Sequence, residues 1–364
     1  MNLTTGRVVY AGFATRHHSG GVHVMTQHVQ LLRAAGVEAW LWLPDPAGRP
    51  GWIERDLPVI NGATTPIGDA DLLVVPETPT VPGRDPAPGA RTVIFNQNHF
   101  YTFAASPPTR AGHDFPGWAL PPAVWVVSAE SRDVLAATLP HLPVSLVPNF
   151  VDGELFRPRP HAPAPSTAAA DTSPDTRAET RADEPGPVRV SWFPRKRPRE
   201  ASLLRELLHG DPRLRGVELV ELVDTPRAEV ALTLGATTVF VALGHSESFG
   251  LPVAEALASG CLVAGYDGGG GHELFEAPGA WRVPDQRPLL LRARVVDLVQ
   301  RAAALTALRT ANRAWVLECY PPGRTAAALL DAVEAASSRP GAHAVATHPA
   351  AWLDTLGPHF TAFA

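Results

Sequence analysis

Residues 247–255 read Glu-Ser-Phe-Gly-Leu-Pro-Val-Ala-Glu, and what flanks this stretch decides the fold. Ahead of it, residues 237–242 form an apolar, β-branched run of strand type. Behind it, Pro252 suits the first turn of a helix running to about residue 258, because that turn leaves its N–H groups without intrahelical partners. The pattern predicts a strand, a loop over 244–250 and a helix. Such a junction offers free N–H groups and the positive end of a helix dipole, which suits a diphosphate. Glu247 precedes the helix and Glu255 lies in its first turns, so both carboxylates can accept hydrogen bonds from paired hydroxyls of a sugar or ribose. Taken alone, the pair is better described as a dipole partner and a solvated helix face.

The next unit reverses that preference. Residues 261–266 are a second apolar strand, followed by Asp267-Gly268-Gly269-Gly270-Gly271-His272-Glu273. Glycines at such a junction let the backbone approach a ligand closely. Two glycine-containing junctions on neighbouring βα units, one with paired glutamates, favour a nucleotide-sugar cleft over a plain turn.

Working outward, apolar runs at 7–10, 38–43, 71–75, 92–95, 124–127 and 144–147 predict buried strands in the first half. After Gly21, Val22, Met25, Val29 and Leu32 recur at helical spacing and Gly36 supplies a stop. In the second half the predicted strands are 188–192, 217–222, 237–242, 261–266 and 281–283, and the helices 199–208, 228–234, 252–258 and 290–316. Alternating units of this kind imply two mostly parallel sheets with ligands at the carboxyl ends of the strands. Between them, residues 157–187 turn to Pro, Ala, Thr, Asp, Glu and Arg, with no aliphatic or aromatic core former beyond alanine. Such a segment predicts a linker. The expected division is 1–156, an acceptor-binding domain; 157–187, the linker; 188–339, a nucleotide-sugar-binding domain; and 340–364, a segment carrying Trp352, Phe360 and Phe363 that crosses back to the first domain.

Composition removes other classes. A formal charge of -5 without a basic block argues against binding along a nucleic-acid backbone. Cys261 and Cys319 stand far apart in apolar segments, which indicates neither a disulfide framework nor a metal site and fits a reducing cytosol. No run of about 18 apolar residues occurs and the start lacks a signal-peptide pattern, so a cytoplasmic protein that neither spans nor enters a membrane is expected. The first strand-to-helix turn lacks GxGxxG, which disfavours a dinucleotide oxidoreductase.

The stretch Glu247–Glu255 continued as EALASG, with GGGGHE downstream, resembles the glutamate, seven residues, glutamate signature and the GGxxE of glycosyltransferase family 4, the retaining GT-B enzymes. Val147-Pro148-Asn149-Phe150-Val151-Asp152, with Phe156 and Pro158, is similar to the family's NGVD interdomain segment, Phe150 replacing its glycine. Ser128 and the helix opening at Gly20-Gly21 also fit.

The resemblance implies two Rossmann-like doubly wound domains facing each other across a cleft. It gives Glu247 the donor-sugar hydroxyls and Glu255 the nucleotide ribose. Ser248, Phe249, Gly250, Leu251, Gly269 and Gly270 would line the phosphate and sugar pocket, and Gly20 and Gly21 would face the diphosphate from the first domain. Arg195 and Lys196, after the first strand of the second domain, would neutralise the diphosphate. His99, in Asn-Gln-Asn-His-Phe at a strand end, is similar in position to the family's active-site histidine. His17, His18 and His23 surround the glycine pair as candidates for the acceptor side.

No obvious DxD pair ends a strand, so the reading requires no metal and no cofactor. The expected partners are a nucleotide-sugar donor, UDP being the first choice, and a small-molecule or carrier-bound acceptor, with neither nucleic acid nor membrane. The Ala, Arg and Pro content suggests a high-GC bacterial source, natural-product biosynthesis being one setting. A GT-B nucleotide-sugar epimerase or hydrolase, and a silent pseudo-glycosyltransferase, are the competing readings.

Overall fold

The computed structural model describes residues 6–12, 19–43, 49–61, 67–77, 90–103, 115, 122–159 and 187–339. The first half forms a seven-stranded sheet from β1 (Val8–Ala11), β2 (Ala39–Leu43), β3 (Val59–Asn61), β4 (Leu72–Pro76), β5 (Arg91–Asn96), β6 (Ala123–Val126) and β7 (Val144–Leu146), in the order β3-β2-β1-β4-β5-β6-β7. Every neighbouring pair is parallel. Parallel strands are covered on both faces, which is why Val-Val-Tyr-Ala of β1 and Leu-Leu-Val-Val-Pro of β4 are buried throughout and read as unbroken apolar runs. Helices α1 (Gly20–Ala34) and α2 (Ala129–Thr138) belong to this half.

A second parallel sheet contains β8 (Arg189–Trp192), β9 (Glu218–Glu221), β10 (Val239–Glu247), β11 (Leu262–Gly269) and β12 (Ala280–Arg282), ordered β12-β11-β10-β8-β9. Its helices are α3 (Pro198–His209), α4 (Arg227–Gly235), α5 (Leu251–Ala258), α6 (Pro288–Gln300) and α7 (Thr306–Cys319). Pro198 and Pro288 open their helices at the first position, where no N–H is needed. Strand order reverses between β1 and β4 in the first sheet and between β8 and β10 in the second. At such switch points diverging connections leave a crevice at the carboxyl ends.

Three departures from the sequence pattern bear on the site. The strand expected to stop at residue 242 continues to Glu247, and its neighbour expected to stop at 266 continues to Gly269, because β10 and β11 keep pairing beyond Leu243↔Tyr266. Most of the expected 244–250 loop is therefore strand. The pattern at 290–316 is two helices with a 3-10 turn at Ala302–Leu305 between them. The break follows from packing: α6 buries Leu291, Val295 and Leu298 against the second sheet, whereas α7 turns Val316 into the core shared with the first half.

The segment joining the halves is pinned on several sides. Arg313 of α7 donates to the carbonyls of Phe156 (2.8 Å), Gly153 (2.9 Å) and Ala258 (2.6 Å). Helix α8 (Pro322–Ser337) packs against α1 and β5 of the first half, and its Thr325 hydroxyl donates to the Pro148 carbonyl at 2.8 Å. The expected linker core, 160–186, and the expected return segment, 340–364, lie outside the described residues. Among the described residues no helix is long and apolar enough to cross a membrane.

Candidate functional site

The carboxyl ends of both sheets meet at one cleft. On the second half, β10 ends at Glu247 and Gly250 caps α5 with φ 91°, a left-handed conformation that glycine adopts without a Cβ clash. Leu251 and Pro252 then open the helix. On the first half, Ser19 caps α1, and Gly20 starts it. A Cβ built on Gly20 would lie 3.9 Å from Leu251 Cδ1, so the amino ends of α1 and α5 are neighbours. Neighbouring positive dipole ends favour an anion nearby.

Glu247 is held on several sides. Lys196 Nζ lies 2.8 Å from its Oε1, and its own carbonyl accepts from the Gly270 N–H at 2.8 Å. Gly268 has φ 69°, and a Cβ there would stand 2.6 Å from Glu247 Cγ, so the glycine run clears space for this side chain. Lys196 also reaches toward the His245 carbonyl at 3.4 Å. Arg195 is exposed, and its charge is felt at the Tyr101 hydroxyl together with those of Glu247 and Glu77. The adjacent Arg197 is committed elsewhere, donating to the Gly244 carbonyl and pairing with Glu200 and Asp285.

Glu255, in the second turn of α5, is 7% exposed and pairs with Arg227 of α4 at 2.6 Å. Burial raises its pKa, and the Arg227 charge and hydrogen bond pull the other way. A solvated helix face is thereby excluded for it. Phe249 turns its ring inward against Tyr320, with centroids 5.0 Å apart. Glu273, of the GGxxE pattern, is hydrogen-bonded to Tyr320, and burial raises its pKa.

From the first half, a 3-10 turn at His99–Tyr101 follows β5. The His99 N–H donates to Ser248 Oγ at 2.9 Å, and His99 Nδ1 lies 2.9 Å from both Ser248 Oγ and Ser131 Oγ. Ser131 in turn accepts from Ser128, the cap of α2. Desolvation lowers the His99 pKa against a smaller opposing pull from Glu130, which keeps the ring neutral near pH 7. Gly269 lies under the Phe100 ring and Gly270 beside the His99 ring. Gly21 offers its carbonyl to Gln97 Nε2 at 3.2 Å.

The structure thus brings His99, Glu247, Lys196, Ser248, Gly250, Leu251, Gly269, Gly270, Gly20 and Gly21 to one cleft, with Glu255 buried behind it. His23 is half-buried on α1; His17 and His18 lie outside the described residues. Sequence reasoning passed over Glu77, Asn98, Tyr101, Ser131 and Arg227. For Glu77 a signal existed, since it directly follows the apolar strand β4 beside the switch point. It is buried, accepts the Gln97 N–H at 3.2 Å, and desolvation lifts its pKa to about 7.

Solved structures share this fold. Sucrose-phosphate synthase from Thermosynechococcus elongatus matches with a TM-score of 0.61 at 15% identity, over 88% of this chain and 96% of that one. Anabaena HepE, solved in complex with UDP-glucose, matches at 0.60 and 13% identity, over 90% and 99%. WaaG, a glycosyltransferase involved in lipopolysaccharide biosynthesis, matches at 0.58 and 10% identity, over 91% and 100%. The fold is GT-B. The GT-B likeness is one of structure: no protein-family model matches the chain, and no curated protein matches it in sequence.

Proposed function

We propose that this GT-B protein is a retaining glycosyltransferase that moves a sugar from a nucleotide diphosphate, UDP being the first choice, to a small-molecule or carrier-bound acceptor without a metal. The observation that carries the reading is the placement of Glu247. It stands at the open end of β10, paired with Lys196, shortly before the amino end of α5 and beside a glycine run that makes room for it. In this reading the Glu247 carboxylate accepts hydrogen bonds from the donor sugar, and Glu255, oriented by Arg227, accepts from the ribose. Arg195, Lys196 and the amides at the starts of α1 and α5 stabilise charge as the nucleoside diphosphate leaves. Neutral His99 offers its ring to the sugar as a hydrogen-bond partner rather than a competing charge. Retention follows from the family resemblance of the Glu247–Glu255 signature, and HepE's complex with UDP-glucose supports UDP.

A thermal-stability screen of UDP, GDP and ADP with their glucose and mannose conjugates tests this reading. A true donor at one hundred times its Kd stabilises the fold by about 2.7 kcal/mol. A rise in melting temperature with UDP and a UDP-sugar is expected; no response to any of them overturns the assignment.

A further inference from the structure

The two residues flanking Glu247 are both gripped by one turn of the other half. Asn98 Nδ2 donates to the Ser246 carbonyl at 2.7 Å, and the next residue, His99, donates its N–H to Ser248 Oγ at 2.9 Å. Ser246 has φ 48°, a left-handed conformation that is costly for a residue with a side chain. It falls inside the register shift between Gly244 and Glu247, where β10 departs from regular pairing with β11. Irregularities of this kind re-aim the side chain beside them. Asn98 is itself buried, and its own Oδ1 is occupied by the Phe100 N–H, which fixes the orientation of its amide.

We propose that Asn98 is a positioning residue that holds Ser246 in its left-handed bend and so aims Glu247 at the donor sugar. The sugar grip is then completed by the first domain, whereas the ribose contact belongs to the second. The inference rests on Glu247 being the sugar ligand. It requires that the benefit of the sugar, and not the affinity for the nucleotide, depend on Asn98. It further requires that glycine at 246, which adopts φ 48° freely, make Asn98 dispensable.

The test uses the full chain and two probes, UDP and UDP-glucose, titrated calorimetrically into the wild type, Asn98→Ala, and Asn98→Ala with Ser246→Gly. Wild type is expected to bind UDP-glucose more tightly than UDP. Asn98→Ala should weaken UDP-glucose about tenfold, the scale of one well-made hydrogen bond, while UDP stays within about twofold. The double variant should recover UDP-glucose affinity to within about threefold of wild type. Equal weakening of both probes would mean a general structural role and overturn the inference, as would unchanged UDP-glucose affinity or failure of Ser246→Gly to rescue. If the wild type binds neither probe, the donor assignment itself falls before any variant is compared, and this inference falls with it.

Discussion

Lys196 Nζ lies 2.8 Å from Glu247 Oε1, so the cation after β8 and the carboxylate ending β10 neutralise each other across the switch point of the second sheet. Both are partly exposed, and such a pair contributes about 1 kcal/mol or less to folding. Its value lies in charge placement. Lys196→Met should therefore shift the melting temperature little while lowering kcat/KM for the UDP-sugar by roughly 100-fold to 1000-fold. Turnover within tenfold of wild type would remove Lys196 from the leaving-group site.

Gly268 supplies an independent probe of Glu247. A Cβ at 268 would press on Glu247 Cγ at 2.6 Å from a backbone with φ 69°. Gly268→Ala should displace the carboxylate and reduce turnover by about 100-fold, the scale of losses when a group leaves its productive geometry. The control is Gly36→Ala, at φ 82° with nothing within 4 Å. It carries the left-handed penalty of about 1–2 kcal/mol without touching the cleft, so stability should fall and kcat should not. Equal kcat losses in the two variants would show that the effect of Gly268→Ala is general destabilisation.

The extent to which these features could be read from sequence follows their range. Strands β1, β2, β4, β8 and β10 announce themselves because parallel strands need apolar residues on both faces, and Pro252 and the glycine run mark the junctions locally. The three-residue β3 and the Ala-rich α8 lack such a run, and the first owes its place to pairing with β2. Where β10 ends is set by β11, not by its own residues, so the loop expected at 244 is strand. Likewise, nothing local distinguishes Arg227 from other helix-opening arginines, or Asn98 from any asparagine near a turn. Their roles come from partners 28 and 148 positions away.

Glu77 should leave a mark on the pH dependence of stability. Burial raises its pKa from the ordinary 4.5 to about 7, so the folded state binds the proton more tightly than the unfolded chain. That contribution is full below about 4.5 and is lost as pH rises through about 7, amounting to something on the order of 3 kcal/mol. His28, lowered by burial to about 3, acts oppositely, costing stability as pH falls below its ordinary 6.5. Comparing Glu77→Gln with wild type isolates the first effect. Between pH 5 and 8.5 the wild type should lose more stability than the variant in denaturant titrations, and parallel curves would show that Glu77 does not titrate in this window.

Arg227 and Glu255 separate stability from binding. The pair is 2.6 Å apart with Glu255 buried, and the Arg227 guanidinium also lies 4.8 Å from the centre of the Phe156 ring in the segment joining the halves. Removing one partner strands the other charge in a dry site. Arg227→Met should cost about 3 kcal/mol, the low end for buried pairs because the arginine still reaches water, and lower the melting temperature on the order of 5–10 °C. Replacing both charges removes the stranded carboxylate, so Arg227→Met with Glu255→Met should regain most of that stability. UDP binding should nonetheless be lost in the double variant, because the ribose has no carboxylate to meet. Calorimetric titration of UDP into the two variants, alongside their melting curves, checks both halves of the expectation. A stable double variant that binds UDP like wild type would take the ribose away from Glu255.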